Sequence, residues 1–291
     1  MMDWRDNIVL DIARRQCVLY LGSGVSHNSV NAAGEHPMTW REFLLKGSER
    51  SELANKQKTE IKGKIKCGDY LMACELLKRY LGNDVFTDFI EASFKNPKFS
   101  EADIHKEIFK LDSRIVITPN FDNIYETYVS NETHSAVSVK NYYDIDVASS
   151  IRKRDPLILK IHGNIGTPDQ MIFTQVDYAQ ARNSYSSFYQ LINALLLTQT
   201  FLFMGAGLND PDIKLLLENY AFQYKTSRKH YFLIPKKQLS EKEIEIYEET
   251  LNIKFLQYSP AENHKELTES LHTLNQLVEI QRQDLANNQS W

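Results

Sequence analysis

Four short apolar runs, far apart along this chain, each stop at glycine, asparagine or histidine. Cys17-Val18-Leu19-Tyr20-Leu21 leads into Gly22-Ser23-Gly24-Val25-Ser26, and Ile115-Val116-Ile117 leads into Thr118-Pro119-Asn120-Phe121-Asp122. Leu157-Ile158-Leu159 leads into Lys160-Ile161-His162-Gly163, and Phe201-Leu202-Phe203 leads into Met204-Gly205-Ala206-Gly207. Runs this short, rich in β-branched and aromatic residues, suit strands buried on both faces of a parallel sheet. In an open α/β sheet a ligand lies outside the carboxyl ends of the strands, so the four turns can converge on one crevice.

The segments between these runs are helical in pattern. Residues 3–15 place Ile8, Val9 and Ile12 on one face of a helix, and further strands are expected at 136–139, 231–234 and 254–256. Residues 27–37, rich in Asn, Ser, Ala, Gly, His and Pro, read as a mobile loop able to close over a ligand. Residues 39–111 hold apolar positions at helical spacing (Trp40, Phe43, Leu44; Leu71, Cys74, Leu77) with no strand pattern, which predicts a helical insertion. Residues 175–198 predict a second one, able to pack on the first, and residues 284–291 form a polar tail expected to fray. Asp210-Pro211-Asp212 makes a helix start, with an acceptor cap, proline at the first helical position and an acid favoured by the helix dipole.

Several function classes are disfavoured. The net charge of −4 lacks the basic footprint of a direct nucleic-acid binder. Cys17, Cys67 and Cys74 have no CxxC spacing and the eight histidines no zinc pattern, so no metal is expected. There is no GxxxxGK[ST] loop, no signal-peptide pattern and no 18-residue apolar run, so the expectation is a cytoplasmic chain that does not span a membrane.

The turns themselves carry chemistry. Gly22 and Gly24 allow close backbone approach to a pyrophosphate and Ser23 and Ser26 add hydroxyl donors, although a tight strand-to-loop turn needs the same glycines. Asn120 and Asp122 set an amide and a carboxylate where they can bond ribose hydroxyls or hold a water; Asp122 equally suits capping of the helix that starts nearby. His162, between an apolar strand and a glycine, can project its imidazole into the crevice as a general base.

These four segments, in this order, resemble the sirtuin-like superfamily and its bacterial defence-associated branch. The resemblance runs over residues 10–275 and includes Gly34, Pro37, Trp40 and Asp210-Pro211. It implies an α/β fold: a Rossmann-like, mostly parallel sheet flanked by helices over residues 1–283. Helical insertion replaces the sirtuin four-cysteine zinc module, since no cysteine follows Cys74. Pro119, Ser23 and Gly207 depart from the usual glutamine, alanine and serine. The implied activity is hydrolysis of NAD, as substrate, to nicotinamide and ADP-ribose, an antiphage effector acting by cofactor depletion. Asn120, His162 and Asp122 would be catalytic, and Gly22, Ser23, Gly24, Ser26, Thr118, Gly205, Gly207 and Asp210 would hold the dinucleotide. The alternatives are an NAD-dependent protein deacylase and a non-catalytic sensor of NAD or an ADP-ribose derivative. Expected partners are further copies of the chain and a separate activator, such as a translocase-type ATPase or an Argonaute-like protein.

Overall fold

Each apolar run alternates its side chains between two covered faces, and that alternation organises the molecule. The computed structural model describes residues 2–95, 97–208, 210–224 and 226–289. Its seven strands are β1 (Cys17–Leu21), β2 (Ile115–Thr118), β3 (Ser138–Asn141), β4 (Leu157–Lys160), β5 (Thr200–Met204), β6 (His230–Pro235) and β7 (Ile253–Tyr258). They form one sheet in the order β3-β4-β2-β1-β5-β6-β7, with every neighbouring pair parallel. This is the α/β fold expected from the sequence. The four runs that end in glycine, asparagine or histidine are the adjacent strands β4, β2, β1 and β5. The chain reverses its direction of winding at β1, which is where such sheets open a crevice.

On one face Cys17, Leu19 and Leu21 pack with Ile8 and Ile12 of the helix Asp6–Ala13, Ile104 and Ile108 of Asp103–Lys110, and Leu271 and Leu274 of Ala261–Asn288. On the other, Val18 and Tyr20 pack with Tyr178 of Gln175–Ser184, Ile192 of Ser186–Thr198 and Leu217 of Pro211–Gln223. A third core lies within four helices, Trp40–Ser48, Asn55–Lys66, Tyr70–Leu81 and Asn83–Phe94, and is joined by Ile165, Met171 and Phe173 from the segment after His162. A reciprocal cap starts this module: Glu42 N–H donates to Thr39 Oγ1 at 3.4 Å, and Thr39 N–H donates to the Glu42 carboxylate at 2.8 Å.

Several boundaries differ from expectation. The module ends at Phe94, because Ile104, Ile108 and Leu111 pack on the sheet with the terminal helices. Residues 175–198 supply Tyr178, Phe188, Ile192 and Leu195 to the sheet core, so they form the crossover layer between β4 and β5. They meet the module along one edge, where Lys78 pairs with Asp177 at 3.3 Å. The last helix continues to Asn288 with Leu285 4% exposed, since that leucine reaches the sheet-facing core; Ser290 and Trp291 of the expected tail lie outside the described residues. The loop 27–37 is tied down. Asn31 Oδ1 accepts from Ala33 and Glu35 N–H, His36 Nδ1–H donates to the His27 and Ser29 carbonyls, and Val30 bridges to Ser100. Among the described residues no helix is long and apolar enough to cross a membrane.

Candidate active site

The carboxyl ends of β1 and β5 meet back to back. Gly22 N–H donates to the Met204 carbonyl at 2.9 Å and Gly24 N–H to the Gly205 carbonyl at 2.8 Å. A Cβ on Gly22 would sit 2.4 Å from the Gly205 oxygen, and one on Gly205, at φ +60°, 2.4 Å from Val25 N. These glycines are therefore required by the approach of one turn to the other. Gly24 and Gly205, whose backbones meet each other, are not among the residues that line the cleft. Nor is Thr118: its hydroxyl donates to the Leu21 carbonyl at 2.7 Å and accepts from Asn120 N–H at 3.1 Å, so it ties β2 to β1.

In front of these turns opens a cleft of about 470 Å³, within the size range of small-molecule sites. Gly22, Ser23, Ser26, Asn120, Asp122, His162, Gly207 and Asp210 all line it, so the structure brings together all three expected catalytic residues and five of the eight expected binding residues. Asn120 Nδ2–H donates to Ser26 Oγ at 3.0 Å, locking the β2 turn onto the β1 turn. Asp122 Oδ1 accepts from Ile124 N–H at 3.1 Å at the start of the helix Ile124–Glu132, and the residue lines the cleft and is 8% exposed.

His162 follows β4 and is 2% exposed. Gly163 at φ +80°, where a Cβ would lie 2.6 Å from the Gln170 carbonyl oxygen, turns the chain sharply, and His162 O accepts from Ile172 N–H at 3.0 Å. The imidazole is thereby fixed at the cleft floor. Its Nδ1 lies 3.5 Å from the Tyr178 hydroxyl, and its Nε2 lies 3.6 Å from Asp210 Oδ2 with no hydrogen-bond partner. Asp210 caps the helix Pro211–Gln223 through Oδ1, accepting from Asp212 N–H at 3.0 Å and Ile213 N–H at 3.3 Å, as expected from the sequence. Tyr20 donates to the other oxygen, Oδ2, at 3.4 Å. Burial first, and then Asp210, push the Tyr20 and Tyr178 phenols far above their ordinary value, so both remain neutral donors.

Sequence reasoning missed three groups here. Trp40, Phe43, Tyr70, Phe94, Phe121 and Phe173 form an apolar wall, with Phe121 stacked on Phe173 at 4.2 Å and Phe173 on Phe43 at 5.6 Å. Tyr20 and Tyr178 flank the histidine. Lys160, 1% exposed at the end of β4, donates to the Asp122 carbonyl, to Asn123 Oδ1 at 3.4 Å and to the buried Glu126 carboxylate. Burial raises the Glu126 carboxyl above its ordinary range, against the lowering effect of Lys160. The only signal in the sequence was a charged residue closing an apolar run, and its partner lies in a different helix.

Residues 114–256, which run from the start of β2 almost through β7 and include Asn120, His162 and the 205–207 turn, match the family model of the SIR2-like domain. The chain is 22% identical over 232 residues to the NAD(+) hydrolase ThsA of Acinetobacter baumannii (strain 532279), covering 80% of this chain and 45% of that protein. It is 28% identical over 142 residues to the NAD(+) hydrolase ThsA of Bacillus cereus (strain MSX-D12), covering 48% of this chain and 29% of that protein. It is 27% identical over 205 residues to the defense-associated sirtuin 2 of Bacillus subtilis, covering 69% of this chain and 19% of that protein. The match thus spans less than half the length of these relatives. No group of three or more His, Cys, Asp or Glu suited to a metal occurs among the described residues.

Proposed function

We propose that this chain hydrolyses NAD+ to nicotinamide and ADP-ribose and acts as an antiphage effector by depleting that cofactor. The observation that carries the reading is the convergence of Asn120 and His162 on one cleft of dinucleotide-site size, with an orphaned, buried imidazole nitrogen at its floor. The relatives named NAD(+) hydrolase support the same substrate. NAD+ enters with its pyrophosphate towards Gly22 and Ser23 and its nicotinamide ribose towards Asn120, Asp122 and His162. Nicotinamide leaves a cation as a neutral molecule, so the protein supplies orientation and a proton acceptor more than a strong acid. Asn120 orients the attacking water, His162 takes its proton, and the Asp122 carboxylate favours positive charge on the ribose. The chain works in the cytoplasm as a homo-oligomer, and a separate protein such as a translocase-type ATPase or an Argonaute-like protein activates it.

The test is mass spectrometry of NAD+ incubated with the chain, alone and with candidate activators. A positioned base contributes about 10²- to 10⁴-fold, so His162→Ala should lose at least that order of nicotinamide release while keeping its circular dichroism. Asn120→Ala should lose a comparable amount. Release at the parental rate by folded His162→Ala would overturn the assignment, and release that depends on added acetylated peptide would favour a deacylase.

A further inference from the structure

Asn120 and Asp122 stand on the turn after β2 and His162 on the chain leaving β4, so the geometry of the site depends on what joins these two segments. Main-chain pairing of the strands ends where Ile161 N–H donates to the Thr118 carbonyl at 3.0 Å, with Thr118 opposite Lys160 in the register. Beyond it, Ile165 N–H donates to the Phe121 carbonyl at 3.0 Å, and Lys160 reaches further along the turn. The lysine side chain is 1% exposed and does not line the cleft. Its three N–H donors meet three acceptors, all C-terminal to Asn120: the Asp122 carbonyl, Asn123 Oδ1 at 3.4 Å and the Glu126 carboxylate in the first turn of the helix Ile124–Glu132. We propose that Lys160 is a positioning residue for hydrolysis that acts through Asp122, fixing that carboxylate against the chain that carries His162; this rests on the hydrolase reading of the cleft.

Stability alone does not call for a lysine here. Burying an ion pair gains roughly what desolvation costs, and a well-packed apolar pair of similar volume often holds a fold equally well. What an apolar pair lacks is a donor for the Asp122 carbonyl. Bonds from a charged donor are roughly twice as strong as neutral ones, and one ammonium grips both the Asp122 peptide and Glu126 four residues on. Asn120 keeps its own bonds, from its N–H to Thr118 Oγ1 and from Nδ2–H to Ser26 Oγ, so loss of Lys160 releases the Asp122 end of the turn first. That end carries the carboxylate placed beside the ribose. A displacement of about 1 Å in a group at the reacting centre costs on the order of 10²-fold in rate.

Lys160→Met/Glu126→Leu removes the ammonium and its counter-ion together. In the full chain, at a melting temperature near the parental value, it should lower kcat for NAD+ about 10- to 100-fold and leave KM within about twofold. Lys160→Gln/Glu126→Gln, a neutral hydrogen-bonding pair, should lose less, and it reads the same role if the apolar pair does not fold. Asp122→Asn keeps an acceptor for Ile124 N–H but no charge. Added to it, the apolar pair should cost far less than in the parent, because both act through one carboxylate, whereas a general loosening of the fold would multiply with it. Hydrogen exchange in the ligand-free chain needs no turnover: the Ile124 amide should exchange about tenfold faster in Lys160→Met/Glu126→Leu while the amides of β1 keep the parental rate. A parent that never releases nicotinamide sinks the hydrolase reading, whereas parental kcat in the folded variants, a rise in KM with kcat fixed, or parental Ile124 exchange would overturn the positioning role.

Discussion

Lys160→Met replaces a buried ammonium by an apolar side chain of similar shape, directly beneath the Asn120–Asn123 turn. The parent lysine is 1% exposed and Glu126 is 7% exposed, so loss of the cation leaves a carboxylate buried without its partner. Breaking such a pair from one side costs about 3–5 kcal/mol, a large share of the roughly 5–15 kcal/mol that holds a domain together. The Asp122 carbonyl and Asn123 side chain lose their donor at the same time. The cost should depend on pH. Burial already raises the Glu126 carboxyl, and without Lys160 it rises further. The folded variant therefore binds more protons than the unfolded chain, so its stability grows as pH falls and its deficit is smaller at pH 5.5 than at pH 8. Urea unfolding followed by circular dichroism at both values measures this. Lys160→Met/Glu126→Leu should recover most of the loss, because replacing both partners by apolar groups is often close to neutral. A single variant within about 1 kcal/mol of the parent, or a double variant no better than the single, would refute the reasoning.

Other perturbations test the turns and the core. Gly205→Ala puts a methyl 2.4 Å from Val25 N at φ +60° and should cost about 2–5 kcal/mol in thermal unfolding, whereas Gly63→Ala, in a helix with open space around the added methyl, should stabilise by about 0.5–1 kcal/mol. Equal melting temperatures for the two would remove the turn-to-turn explanation of the glycines. His230, buried beneath Tyr220 and Phe201 with Nδ1 accepting from Phe201 N–H at 3.2 Å, is pushed by burial down to about 4. Because the unfolded histidine titrates near ~6.5, it contributes on the order of 3 kcal/mol that is present above that pH and lost as pH falls towards 4. His230→Asn should flatten the fall in unfolding free energy between pH 7.5 and pH 5, and parallel curves would contradict the assignment.

What the sequence disclosed followed from local pattern. Strands buried on both faces read as apolar runs, so β1, β2, β4 and β5 were legible almost to the residue. β3 is half-exposed at the sheet edge and lacks such a run, so the expected strand at 136–139 lies two residues further on, at Ser138–Asn141. Asp210 was readable as a cap because capping is a property of neighbours in the chain, but its second oxygen meets Tyr20 and His162 only through the tertiary fold. The same holds for Lys160 and Glu126. Gly24 and Gly205 were recognisable as special positions, yet the object each one approaches is the other's turn, a fact that no single segment contains. The boundary of the module at Phe94 was hidden because the helix Asp103–Lys110 has the same periodicity as its predecessors and differs only in what it packs against.

The central claim is that the amide of Asn120 and the imidazole of His162 hold one ribose between them in the cleft outside β1, β2 and β4. A crystal structure of the Asn120→Ala chain with NAD+ tests it without requiring turnover. The expected density places the nicotinamide ribose beside His162 and the pyrophosphate over the 22–26 turn; a dinucleotide bound elsewhere, with the cleft floor filled by solvent, would contradict the account.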